Sequence, residues 1–221
     1  MDVSVFIPAF DEEERVGATV ETAWGIEGVT QVVVADDCSS DSTGRQALLA
    51  GASVVTLPEH QGKGGALTIA MADSTFDYCL FLDADLGKSA EQAVLLLAPV
   101  VAGELDMAIA RFPKPAKRTG MGKVKGLAYD AIARVAPDFD CQSPLSGQRA
   151  FSAECIKALM PLADGFGVEV ALTVKALRQG FRVAEVETQM THAATGNDPA
   201  GYAHRALQYR DVKRAIAELG I

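Results

Sequence analysis

The chain has no excess of basic charge. Lys and Arg number 20 against 29 Asp and Glu, a net charge of −9, whereas a general nucleic-acid binder needs a basic footprint. It has no long apolar run either. The longest, around Ala93 to Ala102, is interrupted by Pro99 and falls well short of the ~20 residues that a membrane-spanning helix requires. Cys38, Cys79, Cys141 and Cys155 form no C-x-x-C pair, so they read as reduced thiols in a cytoplasm. No secretory pattern opens the sequence, which passes from Asp2 directly into strand-like residues. Repeats, low-complexity tracts and a domain-dividing linker are also missing. A single cytoplasmic globular unit over residues 1–221 is the expectation, and 49% hydrophobic residues are enough for one sizeable core.

What is present is an alternation of short apolar runs and helix-compatible segments. Val3 to Ile7 reads as a strand closed by Pro8, and the acids from Asp11 to Glu14 load the start of a helix, as its dipole favours. Val16, Val20, Ala23 and Trp24 recur at helical spacing. Thr30 to Ala35 and Ala52 to Leu57 give two more strands, with Asp41 or Ser42 placed to cap the helix between them. The loop Glu59 to Gly65 is rich in glycine and leads into a helix. Tyr78 to Leu82 is a fourth strand, with Ser89 positioned as the cap of the following helix. Met107 to Ala110 and Arg182 to Met190 read as strands, and the tail from Tyr202 to Leu219 as an amphipathic helix. Such alternation predicts an α/β fold whose mostly parallel sheet is covered by helices on both faces.

The acids gather where strands end. Asp11-Glu12, Asp36-Asp37 and the pair Asp83/Asp85 all fall at carboxyl ends, the rim where open α/β sheets place their ligands. Asp83 and Asp85 are spaced i, i+2, which directs both carboxylates to one side of an extended segment. They are therefore candidates for a hard divalent cation that also takes phosphate oxygens. Beyond Asp106 the charge inverts: no acid occurs before Asp130, while Arg111, Lys114, Lys117 and Arg118 accumulate. In so acidic a chain this predicts contact with an anion.

Taken in order, five stretches carry a resemblance. They are Ile7-Pro8-Ala9-Phe10-Asp11-Glu12-Glu13, Val34 to Asp41, Gly62-Lys63-Gly64, Leu82-Asp83-Ala84-Asp85-Leu86 and Ser146-Gly147-Gln148-Arg149-Ala150-Phe151. The chain resembles the family 2 glycosyltransferases of GT-A fold, and within them the dolichyl- or polyprenyl-phosphate hexose synthases. The resemblance implies a Rossmann-like three-layer αβα sandwich. Residues 1–110 would form its nucleotide-sugar half, and 111–221 its acceptor half with a helical tail.

It further implies donor contacts from Pro8, Ala9, Glu12, Asp36, Asp37, Lys63, Asp83 and Ala84, with Asp37 reading the base. Mg2+ or Mn2+ would be held by Asp83, Asp85 and His192, and Glu169 would act beside Asp85 in catalysis. Arg111, Lys114, Lys117, Arg118, Ser146 and Arg149 would meet an acceptor phosphate. The implied reaction moves a hexose from a UDP- or GDP-sugar to an anionic acceptor, foremost a polyprenyl phosphate at the inner face of the membrane in cell-envelope synthesis. Inversion of the anomeric centre is the family analogy. Two alternatives remain. One is a retaining, glucosyl-3-phosphoglycerate synthase-like transfer to a soluble phosphorylated acceptor, which His192 favours; the other is a non-catalytic nucleotide-sugar binder. Two departures stand out: Gly87 where a Gln is common, and Gln148 where an aromatic is usual.

Overall fold

The computed structural model describes residues 1–113, 122–191 and 199–221, the last span as backbone alone up to 205. Its strands are β1 (Val3–Ala9), β2 (Val29–Asp36), β3 (Ser53–Thr56), β4 (Tyr78–Phe81), β5 (Met107–Arg111), β6 (Arg149–Ser152) and β7 (Val183–Glu187). They form one sheet in the order β3-β2-β1-β4-β6-β5-β7. The helices are α1 (Val16–Trp24), α2 (Thr43–Leu49), α3 (Gly62–Met71), α4 (Val94–Val101), α5 (Gly122–Val135), α6 (Ala153–Leu159), α7 (Val168–Arg178) and α8 (Pro199–Glu218).

Period-two alternation along β1 assigns the two faces of the sheet. Val3, Val5 and Ile7 pack with residues of α1, α2 and α4, including Val20, Ala47 and Leu96. Phe6 points the other way, into a core with Leu67 of α3, Ile156 of α6 and Leu172 of α7. Helices therefore cover both faces, as the three-layer GT-A expectation requires. A third cluster joins α5, α7 and α8 through Ile132, Val174 and Val212.

One strand runs against the rest. β6 pairs antiparallel with both β4 and β5, while β5 and β7 are parallel. Its start thus lies at the rim where β4 ends, Phe81 opposite Arg149, and the loop before it arrives beside Asp83. The strand from the second half of the chain is inserted between two from the first, so both halves share the sheet.

Several local expectations are corrected. The glycine-rich stretch is helical from Gly62 onward. Asp41, not Ser42, caps α2: its carboxylate accepts the Thr43 amide at 2.8 Å, and Ser42 makes no side-chain cap. Ser89 lies inside a 3-10 turn, Gly87–Ala93, rather than ahead of a helix. Trp24 stays 39% exposed, its indole donating to the Gly51 carbonyl. Among the described residues no helix is long and apolar enough to cross a membrane.

Candidate functional site

The loops after β1 and β2 are stitched into one wall. The Asp11 amide donates to Ser39 Oγ at 3.0 Å, and Asp11 Oδ1 accepts the Ser40 amide at 2.8 Å. The Glu12 amide donates to Thr43 Oγ1 at 2.7 Å. Ala9 is buried and its carbonyl accepts the Asp37 amide, while Pro8 is half-buried at the strand end. Glu12 looks into the site beside Arg15, whose Nε donates to it at 2.6 Å. Burial pushes the Glu12 carboxyl up; Arg15 opposes this, and the nearby charges of Asp85 and Asp83 add to the rise.

Asp36 and Asp37 hold the backbone around the site. Both are buried. Asp36 Oδ1 accepts the Ser39 amide at 3.1 Å. Asp37 accepts the Gln61 amide at 2.7 Å and the Gly62 amide at 2.8 Å, and His60 Nδ1 sits 3.0 Å from its Oδ2. Its oxygens are thus committed to the unpaired amides at the start of α3, which every helix must satisfy somehow. Asp37 thereby fixes the helix that carries Lys63.

Lys63 is the centre of the arrangement. Its Nζ lies 2.6 Å from Asp83 Oδ1 and 2.9 Å from Glu169 Oε1, joining the start of α3, the end of β4 and the first turn of α7. Burial pushes the Lys63 ammonium down, yet Asp83 and Glu169 together hold it above the ordinary lysine range. The second Asp83 oxygen accepts from Gln148 Nε2. Between these groups runs Gly147, where a Cβ would stand 2.2 Å from Lys63 Nζ and 3.0 Å from Asp83 Oδ1. Only glycine permits the loop to pass so close.

The turn carrying Asp85 is held from beneath by Thr19 of α1. Fully buried, the Thr19 hydroxyl donates to the Ala84 carbonyl at 2.8 Å and accepts the Gly87 amide at 2.8 Å. Gly87 has a φ of 51°, which a larger residue adopts reluctantly; this accounts for glycine where glutamine was expected. Ala84 contributes backbone here, its side chain being buried. Ser89 Oγ lies 2.9 Å from the Thr191 carbonyl and accepts the Thr191 amide at 3.1 Å. Thr191 is thereby clasped to the turn after Asp85. His192 lies outside the described residues, and among those described no three His, Cys, Asp or Glu side chains are grouped to hold a metal.

The acceptor assignment needs correction at Arg149. Arg149 is fully buried. Its guanidinium donates to the carbonyls of Ser146 and Glu169, both at 2.9 Å, and to Thr173 Oγ1 at 3.0 Å. It braces the Ser146–Gln148 loop against the start of α7 and meets no solvent-borne phosphate. Burial pushes it down to about 10, with Glu169 opposing. Arg111 faces Glu185 and Asp140, both at 3.2 Å, and Glu187 at 3.6 Å. Ser146 is buried, its hydroxyl 3.5 Å from Gln148 Oε1. Lys114, Lys117 and Arg118 lie outside the described residues.

Thr19 and Gln148 are the functional positions that sequence reading passed over. Thr19 had a weak signal, as a hydroxyl on the helix face that also carries Val16 and Val20. Gln148 had a better one, as a polar residue where an aromatic was expected.

Comparison with known proteins agrees with this geometry. A family model, glycosyl transferase family 2, matches residues 4–127. Glucosyl-3-phosphoglycerate synthase of Mycolicibacterium smegmatis is 33% identical over 191 residues, 78% of this chain and 63% of that protein. Glycosyltransferase AglJ of Haloferax volcanii is 30% identical over 199 residues, 89% of this chain and 65% of its own length. The chain thus spans less than two thirds of these relatives. Among solved structures, glucosyl-3-phosphoglycerate synthase of Mycobacterium tuberculosis with Mn2+, UDP-glucose and phosphoglyceric acid superposes with a TM-score of 0.78 at 29% identity, over 98% of this chain and 80% of that one. The same enzyme with Mg2+ and UDP gives a TM-score of 0.81 at 27% identity, over 98% and 78%. The finer placement among polyprenyl-phosphate hexose synthases therefore gives way to similarity with glucosyl-3-phosphoglycerate synthases. At the level of the family the two agree, and the chain belongs to glycosyl transferase family 2.

Proposed function

We propose that this chain transfers a hexose, foremost glucose, from a UDP-sugar to a small soluble acceptor bearing a phosphate, of the phosphoglycerate kind. The observation that carries the reading is the Lys63 bridge between Asp83 and Glu169. It sets a cation and two carboxylates at the ligand-binding rim of a parallel sheet, directly beside Asp85. Similarity to glucosyl-3-phosphoglycerate synthases supports the donor and the acceptor class. The lipid-phosphate reading loses support because Arg149 is sealed inside the protein and Arg111 is engaged by three carboxylates.

Asp85, with Asp83 in its surroundings and His192 as a third ligand, would hold Mg2+ or Mn2+, which suits hard carboxylate donors. When bound, such an ion neutralises charge on a departing nucleoside diphosphate. Pro8, Ala9 and Glu12 would line the donor pocket along the wall formed by the first two loops. Lys63 sits between donor and acceptor halves and holds its proton throughout, so it serves as fixed positive charge. Glu169 faces the acceptor side, within reach of a hydroxyl that must lose a proton.

A thermal-shift panel tests the reading: UDP-, GDP-, ADP- and dTDP-glucose, each with Mn2+, Mg2+ or EDTA, on the native chain, Asp85→Ala and His192→Ala. A ligand that binds only the folded state raises the melting temperature. The expected result is a metal-dependent shift with the UDP-sugar that Asp85→Ala abolishes, followed by glucose transfer to 3-phosphoglycerate. No shift with any donor in either metal would reject the proposal.

A further inference from the structure

A small cavity of about 50 Å³ opens beside Glu169, lined by Val124 of α5, Leu145, Phe166, and Gln208 and Val212 of α8. Its walls are apolar apart from Glu169 and Gln208. Among the described residues, the one buried side-chain oxygen or nitrogen that lacks a hydrogen-bond partner is Gln208 Oε1. Buried polar atoms are nearly always paired, so an orphan on a cavity wall marks the place of a missing donor. The volume suffices for a hydroxyl on a small carbon body, and exceeds what a single water needs.

The chemistry of the lining narrows the occupant. Glu169 Oε1 already accepts from Lys63, and a carboxylate offers further lone pairs but no proton. Gln208 presents an amide oxygen, also an acceptor. An ionised phosphate or carboxylate entering here would face the Glu169 carboxylate and bring no proton for the orphaned Gln208 oxygen. A hydroxyl can give its single proton to the Gln208 oxygen, the Glu169 carboxylate being already paired with Lys63. We propose that Gln208 is a specificity-determining residue that, with Glu169, receives the acceptor's hydroxyl group, so that the acceptor's phosphate and carboxylate both lie outside this cavity. The inference rests on the proposed transfer to a phosphorylated acceptor and adds to it which group of the acceptor enters, and the α8 residue that recognises it.

The test titrates the full-length chain, in the presence of UDP and Mn2+, with 3-phosphoglycerate and with 3-phosphooxypropionate, which lacks the 2-hydroxyl. It is repeated on Gln208→Leu, which keeps the bulk and removes the acceptor. Native protein should bind the hydroxylated acid about tenfold more tightly, the worth of one net hydrogen bond. Gln208→Leu should bind both acids alike, with UDP affinity and melting temperature undiminished. A variant that retains the tenfold preference would overturn the assignment. Glycerol, a hydroxyl probe without a phosphate, separates this inference from the function on which it rests. If neither acid binds but glycerol shifts the native protein and not the variant, the acceptor class falls and the pocket stands. Equal response of both proteins to glycerol in that case would remove the pocket as well.

Discussion

Lys63 Nζ and Glu169 Oε1 stand 2.9 Å apart, an ion pair between the first turn of α3 and the first turn of α7 that Asp83 completes at 2.6 Å. Lys63 and Glu169 are both largely buried, so removing the cation strands a carboxylate that water reaches poorly. Lys63→Met is expected to lower unfolding free energy by about 3 kcal/mol, measured by urea titration, and to abolish sugar transfer. The pH dependence has a definite sign. Burial pushes Lys63 down, but its two carboxylates hold it above the ordinary lysine range. Stability from such a group is complete below the unfolded value, about 10.4, and is lost only as pH climbs through the folded one. The gap between native and Lys63→Met proteins should therefore stay constant from neutrality to about pH 10 and narrow above it. A gap that closes already between pH 7 and 9 would refute the bridge.

Arg149 gives a second expectation, opposite to that of an acceptor-binding arginine. Its donors serve the carbonyls of Ser146 and Glu169 and the Thr173 hydroxyl. Arg149→Met removes all three bonds and strands the Ser146 carbonyl at about 1–3 kcal/mol, while the Glu169 carbonyl keeps the Thr173 hydroxyl as a donor at 3.0 Å. Nucleotide binding and transfer should fail together, with a fall in melting temperature of more than 10 °C. A stable variant that binds UDP normally and loses only acceptor affinity would restore the acceptor role.

The same residue shows where the sequence was legible and where it was not. Arg149 and Phe151 stand i, i+2 on β6, so the face that buries Phe151 buries Arg149 too. That inference needed the strand boundary, which the motif alone blurs by reading Ser146 to Phe151 as one functional stretch. The parallel sheet, both covered faces and the acids at the strand ends follow from alternation and spacing, and the structure has them. The antiparallel run of β6 does not follow, because reversal depends on the path of residues 122–148 rather than on any local pattern. Asp37 was visible as an acid at the rim, but its partners, the Gln61 and Gly62 amides, belong to a helix whose start looked like loop. Thr19 was hidden for a related reason: its hydroxyl matters only once α1 is docked under the Asp85 turn.

That docking makes Thr19 a test of positioning at a distance from any ligand. Thr19→Val keeps shape and removes both hydrogen bonds, to Ala84 and from Gly87. Stability should fall by about 1–3 kcal/mol, and metal-dependent UDP binding should weaken at least tenfold, read by calorimetry with and without EDTA. Thr19→Ser, which keeps the hydroxyl, should restore most of the nucleotide affinity. Equal losses in the two variants would assign Thr19 to packing alone.

Gly147 separates folding from function in the other direction. A methyl group there would stand 2.2 Å from Lys63 Nζ and 3.0 Å from Asp83 Oδ1. The ammonium is the far end of a flexible side chain, so it can swing aside without disturbing the core. What it cannot do is swing aside and still bridge Asp83 and Glu169. Gly147→Ala keeps the ammonium close enough to pair with one of the two carboxylates, so it is expected to cost less stability than the about 3 kcal/mol of Lys63→Met, while lowering kcat by at least a hundredfold, since a displacement near 1 Å at a positioned group has that effect. The comparison is a single urea titration alongside initial rates with UDP-glucose and 3-phosphoglycerate. Near-native rates would mean that the Lys63 bridge is dispensable for transfer, whereas a folding defect equal to that of Arg149→Met would mean that the loop, rather than the ammonium, bears the clash.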